Sequence, residues 1–110
     1  MLTIIAQLKV KTDKLEEYLP LISMLTNNIV GKRKGCITYS FNQRRDAPTE
    51  FVLYEQWESQ EDLDNHIHYL ISLLGPSNSG GILPKKLMDM YESGQSYYYD
   101  VVGENDQNRL

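Results

Sequence analysis

The chain has 110 residues, enough for one domain, and its 41% hydrophobic and 24% charged residues are typical of an ordinary soluble globular protein. The net charge is −4, and the short basic groups at residues 32–34 and 44–45 are interpreted as solvated loops, which argues against a nucleic-acid-binding face. The single Cys36 excludes an intrachain disulfide, and the polar residues within the first apolar run argue against a signal peptide or membrane span, so we expect a cytoplasmic protein.

The first strand is predicted at residues 2–10, where the even-numbered apolar residues share one face and Ile5 lies on the other. A helix follows, capped by Thr12 or Asp13, and its apolar stripe extends to residue 29. Because this stripe continues past Pro20, we expect a bend at that residue and not the end of the helix.

A β-hairpin is predicted from the strands at residues 36–43 and 51–58. At Ser59 the spacing of the apolar residues changes abruptly from the period of a strand to that of a helix. Ser59 and Asp62, three residues further on, have the spacing of a helix N-terminal cap. The pattern predicts a helix from residue 61 to about 74.

The C-terminal part begins with a flexible Gly- and Ser-rich loop at residues 75–81. A short helix is predicted at residues 82–92, with Pro84 in its first turn and Gly94 ending the segment. The last strand is predicted at residues 96–102.

This order of elements is the ferredoxin-like, or split βαβ, pattern of the α+β class, in which helices cover one face of an antiparallel sheet. We expect one domain over residues 1–102, followed by a polar and disordered tail at residues 103–110. A half-apolar uncovered sheet face needs a partner, so we expect a homodimer that packs sheet against sheet. The residues expected on that face are Ile5, Gln7, Tyr39 or its neighbours, and part of the tyrosine run at 97–99.

Several segments, in this order along the chain, resemble the antibiotic biosynthesis monooxygenase superfamily, and most closely its small quinol monooxygenase branch. They are Met1-Leu-Thr-Ile-Ile-Ala, the Gly-Cys-x-x-Tyr at residues 35–39, the Glu55-Gln-Trp-Glu-Ser59 block and Leu63-x-x-His66. The resemblance covers about residues 1–74. It implies a dimeric α/β barrel that oxygenates a quinol or related phenol without metal or flavin. Other members degrade haem, isomerise a phosphorylated sugar derivative or have no known activity.

His66 is the candidate catalytic base, because an imidazole titrates near neutral pH and a deprotonated dihydroxy-aromatic substrate can itself supply electrons to oxygen. It could equally be a boundary histidine that bonds a backbone carbonyl. Trp57 could stack on an aromatic substrate or be a core residue. Glu55, on the same strand face as Trp57, could be a second base if it points into the pocket, or could pair with a cation of the other subunit.

Three further candidates for substrate binding are Gln7, Tyr39 and Tyr54. Gln7 could bond a substrate oxygen or bond across the dimer. Tyr39 and Tyr54 could donate to a phenolate, although strand tyrosines commonly serve packing. His68 lies on a different side of the helix and is given no role, and no metal ligand set is predicted.

The predicted function is therefore a cofactor-independent monooxygenase that oxidises a quinol or related phenolic molecule with O2. An isomerase or other proton-transfer enzyme on a small oxygenated metabolite is one alternative, which a polar cavity lined by cations would favour. A non-catalytic dimeric ligand-binding module is another. It would be favoured if Trp57 and His66 are fully packed with no cavity between them.

Overall fold

The structure of the protein is a computed structural model that describes residues 1–104. The strands are β1 (Leu2–Val10), β2 (Cys36–Gln43), β3 (Glu50–Trp57) and β4 (Tyr91–Asp100); the helices are α1 (Leu15–Ile29), α2 (Gln60–Leu74) and the short α3 (Lys85–Met88). A 3-10 turn at Thr12–Lys14 leads into α1, which continues through Pro20 as the apolar stripe indicated.

The four strands form one antiparallel sheet in the order β2-β3-β1-β4, with the helices on one face. This confirms the predicted ferredoxin-like α+β fold. The core lies between the helices and the covered face, to which β1 contributes Ile4 and Val10 and β3 contributes Phe51 and Trp57. Buried residues therefore recur at every second position, as the period of a strand requires.

The start of α2 follows directly from its sequence. Ser59 has extended backbone angles, and its side-chain oxygen accepts a hydrogen bond of 3.2 Å from the backbone N–H of Asp62. This is a helix N-terminal cap, and it satisfies one of the N–H groups that a first turn leaves free. The predicted cap is confirmed, and it fixes how α2 leaves the end of β3.

The prediction for residues 82–102 is wrong in its boundaries. The helix has only four residues, and the strand β4 begins at Tyr91, five residues earlier than expected. Gly94 does not end a helix but pairs with Leu8 inside the sheet, where a Cβ would lie 3.2 Å from a Leu8 methyl carbon. Pairing with β1 therefore outweighs the weak strand propensity of this segment.

The uncovered face of the sheet, called here the open face, is mixed in character. It presents Ile5, Gln7, Tyr54, Tyr97 and Tyr99, and Ile5 pairs with both Tyr54 and Tyr97 across the neighbouring strands. Of the alternatives expected there, Tyr39 is not on this face, because it pairs with Glu55 and is buried beneath the helices, whereas its neighbour Ser40 pairs with Tyr54. A bulge between Cys36 and Thr38 shifts the β2 register.

No helix within residues 1–104 has both the length and the apolar character that crossing a membrane requires. The predicted disordered tail lies outside the described residues from position 105 onward.

Candidate functional site

Three side chains meet where the end of β3 faces the second turn of α2, and we call them the buried triad: Glu55, Trp57 and His66. Glu55 and Trp57 are two residues apart on β3 and so share the covered face. His66 reaches them from α2. All three are almost completely removed from solvent, with exposed fractions of 7%, 0% and 3% respectively.

The contacts within the buried triad converge on one oxygen. The Trp57 indole N–H donates a hydrogen bond of 3.0 Å to Glu55 Oε1, and His66 Nε2 lies 3.8 Å from the same atom. The Trp57 and His66 rings stack with centroids 4.6 Å apart and planes 30° from parallel. The two rings therefore touch, and no substrate fits between them in this conformation.

Burial moves both titratable groups of the buried triad toward their neutral forms. It raises the pKa of Glu55 to about 7, and the Trp57 hydrogen bond opposes this shift only in part. It lowers the pKa of His66 to about 4, with a further contribution from the positive charge of Arg33. At neutral pH the imidazole is therefore neutral and the carboxyl group is close to half-ionised.

One atom of the buried triad lacks a partner. His66 Nδ1 is buried and has no hydrogen bond from any described residue. Buried polar atoms are usually paired, because leaving one unpaired costs about 1–3 kcal/mol. A bound molecule that reached this nitrogen would supply the missing partner.

Tyr39 lies against the other side of the imidazole. Its ring makes an edge contact with His66 at a centroid distance of 5.2 Å, and it continues toward Phe41 at 5.7 Å. Burial, and then the nearby Glu55 carboxylate, raise the pKa of Tyr39 well above its ordinary value. Tyr39 is therefore a neutral donor or packing residue at any physiological pH.

A cleft opens beside the buried triad, with a volume of about 400 Å³. Arg33 and Lys34, in the loop before β2, border one side. Asn65, His66 and Tyr69 of α2 border the other, and Trp57 also contributes. The cleft combines aromatic surface with two cations, and His66 connects it to Glu55.

The structure brings together four of the six sequence-predicted site residues, which are Tyr39, Glu55, Trp57 and His66. Gln7 and Tyr54 lie on the open face, so the sheet separates them from the buried triad. Gln7 is exposed there and borders a separate groove of about 690 Å³. This position fits the alternative role of Gln7, which is to bond across a dimer. It does not support the predicted role in binding the substrate.

Arg33 and Tyr69 were not predicted as site residues. The basic group at 32–34 was interpreted as a solvated loop. The Arg33 guanidinium carbon lies 4.0 Å from the centroid of the Tyr69 ring, a cation–π contact. Two glycines flanking the basic group, Gly31 and Gly35, were the available signal, since both adopt positive φ. His68 is exposed at the rim of the cleft.

Within residues 1–104, no group of three or more His, Cys, Asp and Glu side chains is arranged to hold a metal ion.

Known proteins resemble this chain in sequence and in fold. Residues 1–68 match the family model described as Antibiotic biosynthesis monooxygenase. An uncharacterized protein of a Synechocystis strain is 32% identical over 65 residues, or 59% of this chain. The match spans only 44% of that relative's length.

Solved structures show the same fold. A Nitrosomonas europaea protein assigned to the antibiotic biosynthesis monooxygenases superposes with a TM-score of 0.76 at 24% identity, covering 94% of this chain and 100% of that one. A conserved protein from Methanosarcina mazei Go1 gives a TM-score of 0.67 at 22% identity and covers 89% of each chain. At these identities the likeness establishes the architecture.

Proposed function

The chain belongs to the antibiotic biosynthesis monooxygenase family, and on that premise we propose that it is a cofactor-independent monooxygenase that oxidises a quinol or related phenol with O2. One observation carries the proposal. The His66 imidazole stands between a half-ionised carboxyl group and an open cleft, with Nδ1 free of any partner among the described residues.

The orientation of the imidazole assigns its tautomer. Nε2 faces Glu55, so we place the proton there, directed at the carboxylate, which leaves the Nδ1 lone pair as the acceptor. A carboxylate that orients a histidine, which in turn takes a proton from a substrate hydroxyl, is the arrangement that activates nucleophiles in many enzymes. The present 3.8 Å separation would shorten as the imidazolium forms, since catalytic hydrogen bonds are often long in the free enzyme.

The reaction begins with the phenolic proton passing to His66 Nδ1. The resulting imidazolium is stabilised by the Glu55 carboxylate, whose charge Trp57 also supports through its N–H. The electron-rich phenolate then reduces O2. One oxygen atom forms a new C–O bond on the ring and the other leaves as water, so that quinol and O2 give hydroxyquinone and water.

The cleft suits such a substrate. Its volume of about 400 Å³ lies within the range of about 300–1,000 Å³ that is usual for small-molecule sites. Trp57 and Tyr69 border the cleft, and Tyr39 packs against His66, so that aromatic rings near the imidazole limit access of water.

Specific observations favour two other functions. The direct stack of Trp57 on His66 favours a ligand-binding module without catalysis, because the rings already occupy each other's faces. The cations Arg33 and Lys34 favour proton transfer on a small oxygenated metabolite, without oxygen. Ligand binding without oxygen uptake would support one of these two in place of the monooxygenase.

The test is oxygen consumption with a panel of reduced quinones, comparing the wild type with His66→Ala. General-base catalysis contributes about 10²–10⁴-fold, so we expect His66→Ala to lose at least about 100-fold. Gln60→Ala, an exposed change on the same helix, is the matched control and should keep the wild-type rate. No uptake by the wild type removes the monooxygenase proposal. Uptake unchanged in folded His66→Ala keeps the reaction but removes His66 as the base.

A further inference from the structure

The guanidinium of Arg33 is the least satisfied charge beside the cleft. Its Nε–H is buried and donates no hydrogen bond to any described residue. No acidic side chain within residues 1–104 forms an ion pair with it, and its one specific contact is the Tyr69 ring. A buried N–H on a charged group is costly to leave unpaired, so the site favours an acceptor from outside the chain.

The loop that carries Arg33 is held in place by its own backbone. The Arg33 N–H donates to the carbonyl of Ile29 at 3.1 Å, and the Glu58 N–H donates to the carbonyl of Gly35 at 2.9 Å. These bonds tie the loop to the end of α1 and to the end of β3. Arg33 is therefore presented to the cleft from a fixed backbone.

The charges around the cleft favour an anion. Arg33 and Lys34 are positive, and Asp62 is the acidic side chain that borders them. Asp62 Oδ2 already accepts a hydrogen bond of 3.0 Å from the Ser59 hydroxyl as part of the α2 cap. The two cations outnumber this one carboxylate, so the border of the cleft keeps an excess of positive charge.

We propose that Arg33 forms a carboxylate-binding subsite, so that the substrate is a dihydroxy-aromatic carboxylic acid; this rests on the proposed function. The Nε–H and one Nη–H of arginine form a planar fork that matches the two oxygens of a carboxylate. Arg33 is half-buried, and its guanidinium lies against the Tyr69 ring at the border of the cleft. The ring of the ligand then extends along the cleft toward His66.

The experiment is titration calorimetry under nitrogen with three probes: 2,5-dihydroxybenzoate, benzoate and uncharged hydroquinone. Hydrogen bonds to charged groups imply a preference of about 10- to 100-fold for dihydroxybenzoate over hydroquinone. Arg33→Gln should remove that preference and leave hydroquinone binding unchanged. Arg33→Lys should lose most of it, because a point charge lacks the fork. Arg45→Gln, an exposed change in the hairpin loop, is the matched control.

Each outcome decides the subsite. Equal binding of the charged and uncharged probes, or a preference that survives in folded Arg33→Gln, overturns it. Displacement of benzoate by inorganic phosphate at equal affinity overturns the assignment to carboxylates. Benzoate cannot be oxidised as a quinol, so Arg33-dependent benzoate binding establishes the subsite even if no reduced quinone consumes oxygen, which would remove only the monooxygenase proposal.

Discussion

Burial raises the pKa of Glu55 and lowers the pKa of His66. The stability of the folded protein therefore depends on pH through both groups. Glu55 has a folded pKa of about 7 against an ordinary value of 4.5, so the folded state holds its proton longer and stability falls as pH rises between those values. His66 has a folded pKa of about 4 against 6.5, so the unfolded state binds its proton first and stability falls as pH drops through that window. Between about pH 4.5 and 6.5 the two slopes oppose each other.

Replacing either Glu55 or His66 should reveal how the free energy of unfolding depends on pH through the other residue. In Glu55→Gln, the free energy of unfolding should rise from pH 4 to 6.5, by up to about 3 kcal/mol. In His66→Gln it should fall by a similar amount from pH 4.5 to 7. Urea unfolding across pH 4–8 measures both. Equal slopes in the two variants would show that the buried triad does not titrate in this way.

At the residue scale, the sequence predicted that Trp57 and His66 could meet, because alternation on β3 and the cap at Ser59 fix where they point, but it left two readings open for Glu55. Arg33 was not predictable, since the direction of a loop side chain depends on the tertiary contacts of Tyr69. Gln7 illustrates the opposite limit. Its strand and its place on the uncovered face were predicted, but the sequence left open whether it bonds a substrate oxygen or bonds across a dimer.

At the element scale, the loop between α1 and β2 depends on Gly35. Its φ is +78°, and a Cβ there would lie 2.1 Å from Asp62 Oδ2, so any side chain collides with the α2 cap. Gly31 is the matched control, with φ +72° and no atom within 4 Å of a Cβ. Gly31→Ala should cost about 1–2 kcal/mol for the left-handed backbone, and Gly35→Ala at least about 1 kcal/mol more.

Denaturant unfolding of the two alanine variants measures this difference. Equal losses for Gly35→Ala and Gly31→Ala would mean that Asp62 moves aside freely. The Ser59–Asp62 cap would then hold the loop that carries Arg33 less firmly than the short distance from Gly35 to Asp62 indicates.

Elements with strong local signals were predicted well. The helix α2 was predicted within one residue of its observed start, and β2 at its observed bounds, because cap chemistry and alternation are local properties. β4 was misjudged because its Gly and Ser residues have little strand preference of their own, and only pairing with β1 makes them a strand.

At the scale of the whole molecule, we propose a homodimer that packs open face against open face. Ile5, Tyr54 and Tyr97 give this face apolar area with polar tips, which is characteristic of interfaces. Light scattering should give twice the chain mass of 12.8 kDa. The order of strands and helices was enough to predict the fold, whereas the geometry of an interface depends on side-chain contacts between two chains.

Two adjacent tyrosines test the interface. Tyr97 pairs with Ile5 on the open face, whereas Tyr98 pairs with Ile4 on the opposite face, and both are about half exposed. Tyr97→Arg should weaken the dimer, because a buried unpaired charge is unfavourable. Tyr98→Arg should leave the measured mass unchanged. A monomeric wild type, or equal effects of both changes, would contradict the proposed packing.

The most direct test of the account is the pH dependence of kcat/KM for oxygen uptake with a reduced quinone, in the wild type and in Glu55→Gln. We expect kcat/KM of the wild type to rise with pH through an apparent pKa of about 7, as Glu55 ionises beside His66. Glu55→Gln should lose this inflection and at least about 100-fold in rate. A folded Glu55→Gln with the wild-type rate and the same inflection would contradict it.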